Sequence, residues 1–187
     1  EKFIADKLCN IVKGRQLEHI WCILTHGDDM GYADTILRKQ LEAVGMRLDA
    51  VFSLAMPNTY VCLPGFDVDK NELADRKVKE SGGAMDSICN DIINRLHCTK
   101  VTRGALPFTK TYVLRPLFNK FLLTDKYFHT LDARCIRCGR CAKFCPLPNI
   151  TVTKEAVSWH GDCTGCLRCY HACPCNAIQF GWFTRGK

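Results

Sequence analysis

The chain contains no apolar run approaching the ~18 residues that a bilayer-crossing helix requires, so no membrane span or membrane partner is expected. Its first residues lack the basic-then-apolar pattern of a secretory leader. No initiator Met stands at position 1, and the expectation is that the natural product begins before Glu1. Collagen-like periods, low-complexity tracts and sustained heptads are missing too, which excludes fibrous and coiled-coil classes. At 47% apolar and 24% charged, the 187 residues fit a globular, soluble chain of one large or two small domains.

Cysteine is the residue in excess. There are fourteen, and eight of them lie between Cys135 and Cys173. The others (Cys9, Cys22, Cys62, Cys89, Cys98 and Cys175) are scattered. With no leader, a disulfide framework is the weaker reading and a cytoplasmic location the expectation. The clustered eight are therefore read as metal ligands and the scattered six as buried or spare thiols.

The clustered cysteines form a repeat. Cys135, Cys138, Cys141, Cys145 and Pro146 recur as Cys163, Cys166, Cys169, Cys173 and Pro174, every offset being 28, and Ile150 recurs as Ile178. One unit has been duplicated, and each copy is too short to bury a core alone. Within each copy the spacing is C-x2-C-x2-C-x3-C-P, the pattern of bacterial ferredoxins. Three Cys at two-residue gaps let one tight loop present three thiolates to three corners of a cubane. The fourth lies on the next turn, faces away and reaches the other cluster, and the proline redirects the chain after that crossing. The expected ligands are Cys135, Cys138, Cys141 and Cys173 for one 4Fe-4S cluster. Cys163, Cys166, Cys169 and Cys145 are expected for a second. Zinc prefers four ligands in two separated pairs, which this pattern does not supply.

Cubanes with four thiolates each leave no open iron, so one-electron transfer is expected rather than chemistry on a substrate. Each such site carries about −2, so the formal +7 of the polypeptide falls to about +3 once two are filled. A nucleic-acid partner then loses its main support. Arg134, Arg137, Arg140, Lys143 and Arg168 stand among the ligands. They balance the anionic sites, or else raise their potentials and dock an acidic partner. Small residues (Gly139, Gly165, Ala142 and Ala172) would let backbone N–H groups approach the sulfurs. Cys175 breaks the repeat register and is read as a free thiol. His129, His160 and His171 lack ligand spacing and are read as structural.

The first hundred residues have another texture. Phe3, Ile4, Leu8, Ile11 and Val12 follow helical spacing up to a stop at Gly14. His19–Thr25 is a short apolar run suited to a buried parallel strand. Helical spacing returns over Ala33–Val44, and Met46–Met56 reads as another strand. Asp69 and Glu72 suggest a capping box. Met85, Ile88, Ile92 and Leu96 continue a helical stripe beyond an expected break at Gly82–Gly83. The order implies an α/β layer with two parallel strands. Residues 98–127, punctuated by Pro107 and Pro116, read as a linker with a short helix carrying Leu117, Phe118, Phe121 and Leu122.

Thr25–Asp34 (THGDDMGYAD) resembles a flavin-contacting loop of flavodoxins. The resemblance implies that Tyr32 stacks on the isoalloxazine of FMN, with His26, Gly27 and Asp28 approaching the ring. Together with the cysteine repeat, the chain resembles a flavodoxin–ferredoxin fusion family of anaerobic bacteria and archaea. Ala55–Tyr60, Trp159 and Ala177–Gly181 support the likeness. What it implies is a partial flavodoxin-like α/β domain over residues 1–97, the linker over 98–127, and a two-cluster ferredoxin domain over 128–187. The FMN phosphate cradle of that family would lie before Glu1. The function so implied is electron transfer between redox partner proteins, to or from a flavin, which favours a carrier over a catalyst. The alternative is a flavin-dependent oxidoreductase whose clusters feed a flavin that reduces a small molecule.

Overall fold

The computed structural model describes residues 2–186, and for residues 2–6 the backbone alone. Glu1 and the Phe3 and Ile4 side chains, on which sequence expectations fell, lie outside what is described. The chain divides into two compact units, Glu1–Thr59 with Val68–Arg115, and Tyr60–Asp67 with Pro116–Lys187. These bounds differ from the sequence-based ones at 97/98 and 127/128.

The first unit is a three-stranded parallel sheet between helices. Strands β1 (Trp21–His26), β2 (Ala50–Ala55) and β3 (Cys98–Lys100) lie in the order β1-β2-β3. Trp21 pairs with Ala50, and Ala50 with Cys98. Central β2 (AVFSLA) is buried along nearly its whole length, as a strand covered on both faces must be. Its side chains alternate between the two faces. Val51 packs with Leu41, Met46 and Leu48, and Cys9 and Val12 of α1 (Lys2–Val12) and Leu37 of α2 (Ala33–Glu42) lie against them. Ala50, Phe52 and Leu54 face the other way, onto Ile88, Met85 and Ile92 of α3 (Asn71–Ile93). Leu8 and Ile11, whose spacing marked the helix in the sequence, are exposed.

Three expectations are corrected in this unit. The sheet has a third strand, because β3 lies in what the sequence suggested was a linker. Three residues (CTK) with one apolar side chain carry no periodicity to read. Second, Gly82 and Gly83 do not interrupt α3, which is continuous over 23 residues. Each glycine costs about 1 kcal/mol relative to Ala. The long flanking segments, and the packing of Met85, Ile88 and Ile92, outweigh that. Third, no capping box forms: Lys70 precedes α3 without a side-chain cap bond. Asp69 instead accepts hydrogen bonds from the Asn58 backbone N–H at 3.0 Å and from Lys77 at 2.6 Å.

Beyond β3 the chain runs through a short helix α4 (Pro107–Thr109), a π-helical turn over Lys110–Leu114 and helix α5 (Arg115–Phe121). The wide turn has a local cause. Pro116 has no N–H to donate, and its ring would crowd the carbonyl four residues earlier, that of Tyr112.

The second unit is built on the repeat. Strand β4 (Phe128–Thr130), helix α6 (Arg140–Phe144) and strand β5 (Ile150–Val152) form one copy. Strand β6 (Val157–Trp159), helix α7 (Arg168–His171) and strand β7 (Ile178–Phe180) form the other. The strands pair crosswise and antiparallel, β4 with β7 and β5 with β6. Phe128, Ile150, Leu167, Ile178 and Phe180 form the core with Cys141 and Cys169. Each half thus completes its sheets only with the other half. Among the described residues no helix is long and apolar enough to cross a membrane.

Candidate metal centre

The two cysteine loops share an unusual backbone. Residues two and four places after the first Cys of each loop have left-handed φ. They are Arg137 (+51°) and Gly139 (+74°) in one copy, and Gly165 (+66°) and Leu167 (+56°) in the other. Glycine takes this conformation freely, whereas Arg137 and Leu167 hold it at a steric cost. That the same two positions turn in both copies shows that the path is set by the loop's task rather than by glycine content. Such turns expose successive N–H groups on one concave side, which suits an anion.

The loops open into two recesses. One is lined by Cys135, Cys138, Cys141 and Cys173, with Cys175 also on its wall. The other is lined by Cys145, Cys163, Cys166 and Cys169. Each thus brings together three cysteines of one copy and the last cysteine of the other. Cys175, read from the sequence as a spare thiol, is a fifth sulfur at the first recess. Its signal was only its place beside Pro174.

Sulfur and its neighbours fit an iron–sulfur cluster. None of the fourteen cysteines is in a disulfide. Among the described residues no three His, Cys, Asp or Glu side chains are grouped to hold a single metal ion. A lone zinc draws its thiolates in to ~2.3 Å, whereas a cubane carries them outside its corners. The Gly165 N–H donates to Cys163 Sγ at 3.3 Å and the Ala177 N–H to Cys173 Sγ at 3.2 Å. Burial pushes the Cys169 thiol up to about 12 and raises Cys141 and Cys163 as well. Without a positive centre these sulfurs stay protonated, so ligation must release protons. Cys138 and Cys166, equivalent in the repeat, are exposed, so each recess has one sulfur at the surface.

A buried polar network fixes the entry to the second loop. Asn149 Nδ2 donates to Asp125 Oδ2 at 2.9 Å, and the Gly161 N–H donates to the same oxygen at 2.7 Å. Asn149 Oδ1 accepts from the backbone of His160 and of Asp162, directly before Cys163. Asn149 and Asp125 are almost fully buried. Asn149→Ala would strand the Asp162 N–H and take one of two donors from Asp125 Oδ2, while the His160 N–H keeps the Asn149 backbone carbonyl at 3.1 Å. The expected cost is roughly 1–3 kcal/mol for each unsatisfied group that water fails to reach. A denaturant titration that finds the variant as stable as the parent would refute this role.

The four residues of the flavodoxin resemblance lie in the first unit. The Tyr32 N–H donates to Thr111 Oγ1 at 3.0 Å. That hydroxyl also excludes a side chain at Gly31, whose Cβ would stand 2.6 Å from it at φ +55°. The Tyr32 ring carries the Arg103 guanidinium at 4.8 Å from its centroid, and Arg103 is held by two 2.8 Å bonds to buried Asp34. His26 sits at the end of β1 with both ring nitrogens buried and unpartnered, and burial lowers its pKa. The Gly27 carbonyl accepts from Lys77 at 2.7 Å, and Asp28 lies 3.7 Å from the same ammonium. The recess beside this loop is lined by Asp29, Met30, Gly31, Lys110, Thr111 and Arg115, not by these four.

Comparison with known proteins bears on the cysteine region. A family model described as a 4Fe-4S dicluster domain matches residues 129–174, which span all eight clustered cysteines. A segment of 45 residues is 44% identical to the polyferredoxin protein MvhB of Methanothermobacter marburgensis. The segment is 24% of this chain and covers only 11% of that relative's length. No solved structure gives a significant match. The chain therefore contains a ferredoxin-like 4Fe-4S dicluster domain over residues 129–174.

Proposed function

We propose that this protein carries single electrons between redox partner proteins through two 4Fe-4S clusters. Cys135, Cys138, Cys141 and Cys173 would hold one, and Cys163, Cys166, Cys169 and Cys145 the other. The observation that carries the reading is the segregation of these eight sulfurs into two recesses, three and one from each copy. When bound, a cubane supplies a one-electron couple whose potential the protein tunes. Four thiolates per cluster saturate its iron, which disfavours substrate chemistry. Cys138 and Cys166 bring one sulfur of each set to the surface, where a partner can approach. The core side chains keep water from Cys141 and Cys169, which are buried among them.

The parallel sheet with helices on both faces supports a flavodoxin-like reading of the first unit. The surroundings of Tyr32, His26, Gly27 and Asp28 do not favour FMN held by these four. Arg103 occupies one face of the tyrosine, and the neighbouring recess is lined by other residues. The reductase alternative loses weight accordingly.

Anaerobic potentiometric titration followed by EPR tests the carrier reading. Two reversible one-electron reductions per chain are expected, with interacting spins in the fully reduced protein. A protein that takes up no electrons over the range of roughly −700 to +450 mV known for such clusters would overturn it.

A further inference from the structure

We infer that Arg137 and Trp159 are side-chain hydrogen-bond donors to the two clusters, one each, and that they set the two potentials apart. The inference rests on the reading that the eight cysteines hold two cubanes. In the second unit, among the described residues, two buried side-chain nitrogens lack a hydrogen-bond partner: Arg137 Nε and Trp159 Nε1. Arg137 lines the first recess and Trp159 the second. A buried donor left unmade is costly. One such donor at each sulfur-lined recess points to an acceptor that occupies the recess.

Both side chains are held in place. The Arg137 Nη atoms donate to the carbonyls of Lys154 at 3.0 Å and Glu155 at 2.6 Å, in the turn between β5 and β6, and to Asp132 at 3.1 Å. That leaves the Nε edge as the unused face of the guanidinium. The Trp159 ring stacks on Phe128 at 5.7 Å with planes 13° apart. Its N–H lies beside the Cys169 sulfur, favouring the anionic form, without reaching hydrogen-bond geometry with any atom of the chain.

The repeat makes the arrangement asymmetric. The residue 28 positions after Arg137 is Gly165, and the residue 28 positions before Trp159 is Leu131. Neither can donate from its side chain. A donor to cluster sulfur stabilises the reduced, more negative state and raises the potential. A charged donor does so more strongly than a neutral one. Arg140 at the first recess and Asp162 at the second push the same way. The cluster beside Arg137 is therefore the one reduced first.

The test uses the full chain, loaded and handled without oxygen, in EPR-monitored titrations of the parent, Arg137→Gln, Arg137→Lys and Trp159→Phe. Iron near eight atoms per chain with cubane spectra secures the underlying reading. A chain without iron refutes that reading, whatever the donors do. Arg137→Gln is expected to move the sharing of one electron between the clusters about tenfold away from the first, equivalent to about 59 mV for a one-electron couple. Trp159→Phe, which keeps the stack on Phe128, is expected to move it the opposite way and by less. Arg137→Lys keeps the charge but loses the Nε–H, and is expected to follow Arg137→Gln in direction. Unchanged sharing in both Arg137→Gln and Trp159→Phe, or parent behaviour in Arg137→Lys, would overturn the inference. Should a variant fail to load, electron–nuclear double resonance on the reduced parent carrying 15N-arginine decides. A nitrogen coupling supports the inference, and its absence overturns it.

Discussion

A chain carrying both Cys138→Ala and Cys145→Ala should retain almost no intact cluster, whereas one carrying Cys145→Ala with Cys166→Ala should retain about four irons. The contrast follows from the crossing. Cys145 belongs by sequence to the first copy but lines the recess of Cys163, Cys166 and Cys169. Removing it with Cys138 damages both sites, and removing it with Cys166 damages one site twice. If each copy held its own cluster, the two results would be exchanged. Cys145 is the better probe than Cys173, because Cys175 lines the same recess as Cys173 and offers a substitute sulfur. The pairing of β4 with β7 and of β5 with β6 crosses between the copies in the same way as the cysteines that line the two recesses.

Stripping the iron should unfold the second unit and leave the first standing. The strands of the second unit are three residues each, and α6 and α7 are five and four residues long. Isolated helices shorter than ~12–15 residues are marginal. Two of the eight clustered cysteines, Cys141 and Cys169, are themselves part of its core, beside recesses that would be left empty. Structural zinc in comparably small domains contributes roughly 10–16 kcal/mol, and a cluster of similar weight would decide whether this unit folds. The first unit rests instead on a 23-residue helix and a sheet covered on both faces. Hydrogen exchange after chelation should therefore show lost protection over 128–180 and retained protection in β2. Protection that persists in both units would contradict this. Reassembly should improve between about pH 6 and about pH 9, because ligation must displace protons from thiols. Burial has raised the pKa of Cys141, Cys163 and Cys169, so rising pH removes part of that cost.

The second unit was legible because ligand chemistry fixes both residue type and spacing. A cubane needs thiolates at set intervals, so the 28-residue offset carried over into the paired loops and crossed strands. The first unit was legible where burial imposed a long enough pattern, as in AVFSLA of β2 and the Met85, Ile88, Ile92 face of α3. It failed where tertiary contacts outvoted local rules. β3 is a strand because β2 offers an edge, not because CTK asks for one. The Asp69 carboxylate is taken up by the Lys77 side chain and the Asn58 amide rather than by the first N–H groups of α3. Gly82–Gly83 is carried by the helix on either side. Arg137 was visible only as one of five cations, since nothing in the sequence says which edge of a guanidinium faces inward. The turn carbonyls of Lys154 and Glu155 supply that information.

The central claim is that two iron–sulfur cubanes fill the two cysteine recesses. X-ray absorption at the iron edge of the anaerobically purified chain, with iron and acid-labile sulfide counted on the same sample, tests it most directly. About eight irons and eight sulfides per chain are expected, each iron in an all-sulfur shell with a clear iron–iron scattering path. A zinc-loaded protein, or iron with nitrogen or oxygen ligands and no iron neighbour, would contradict it.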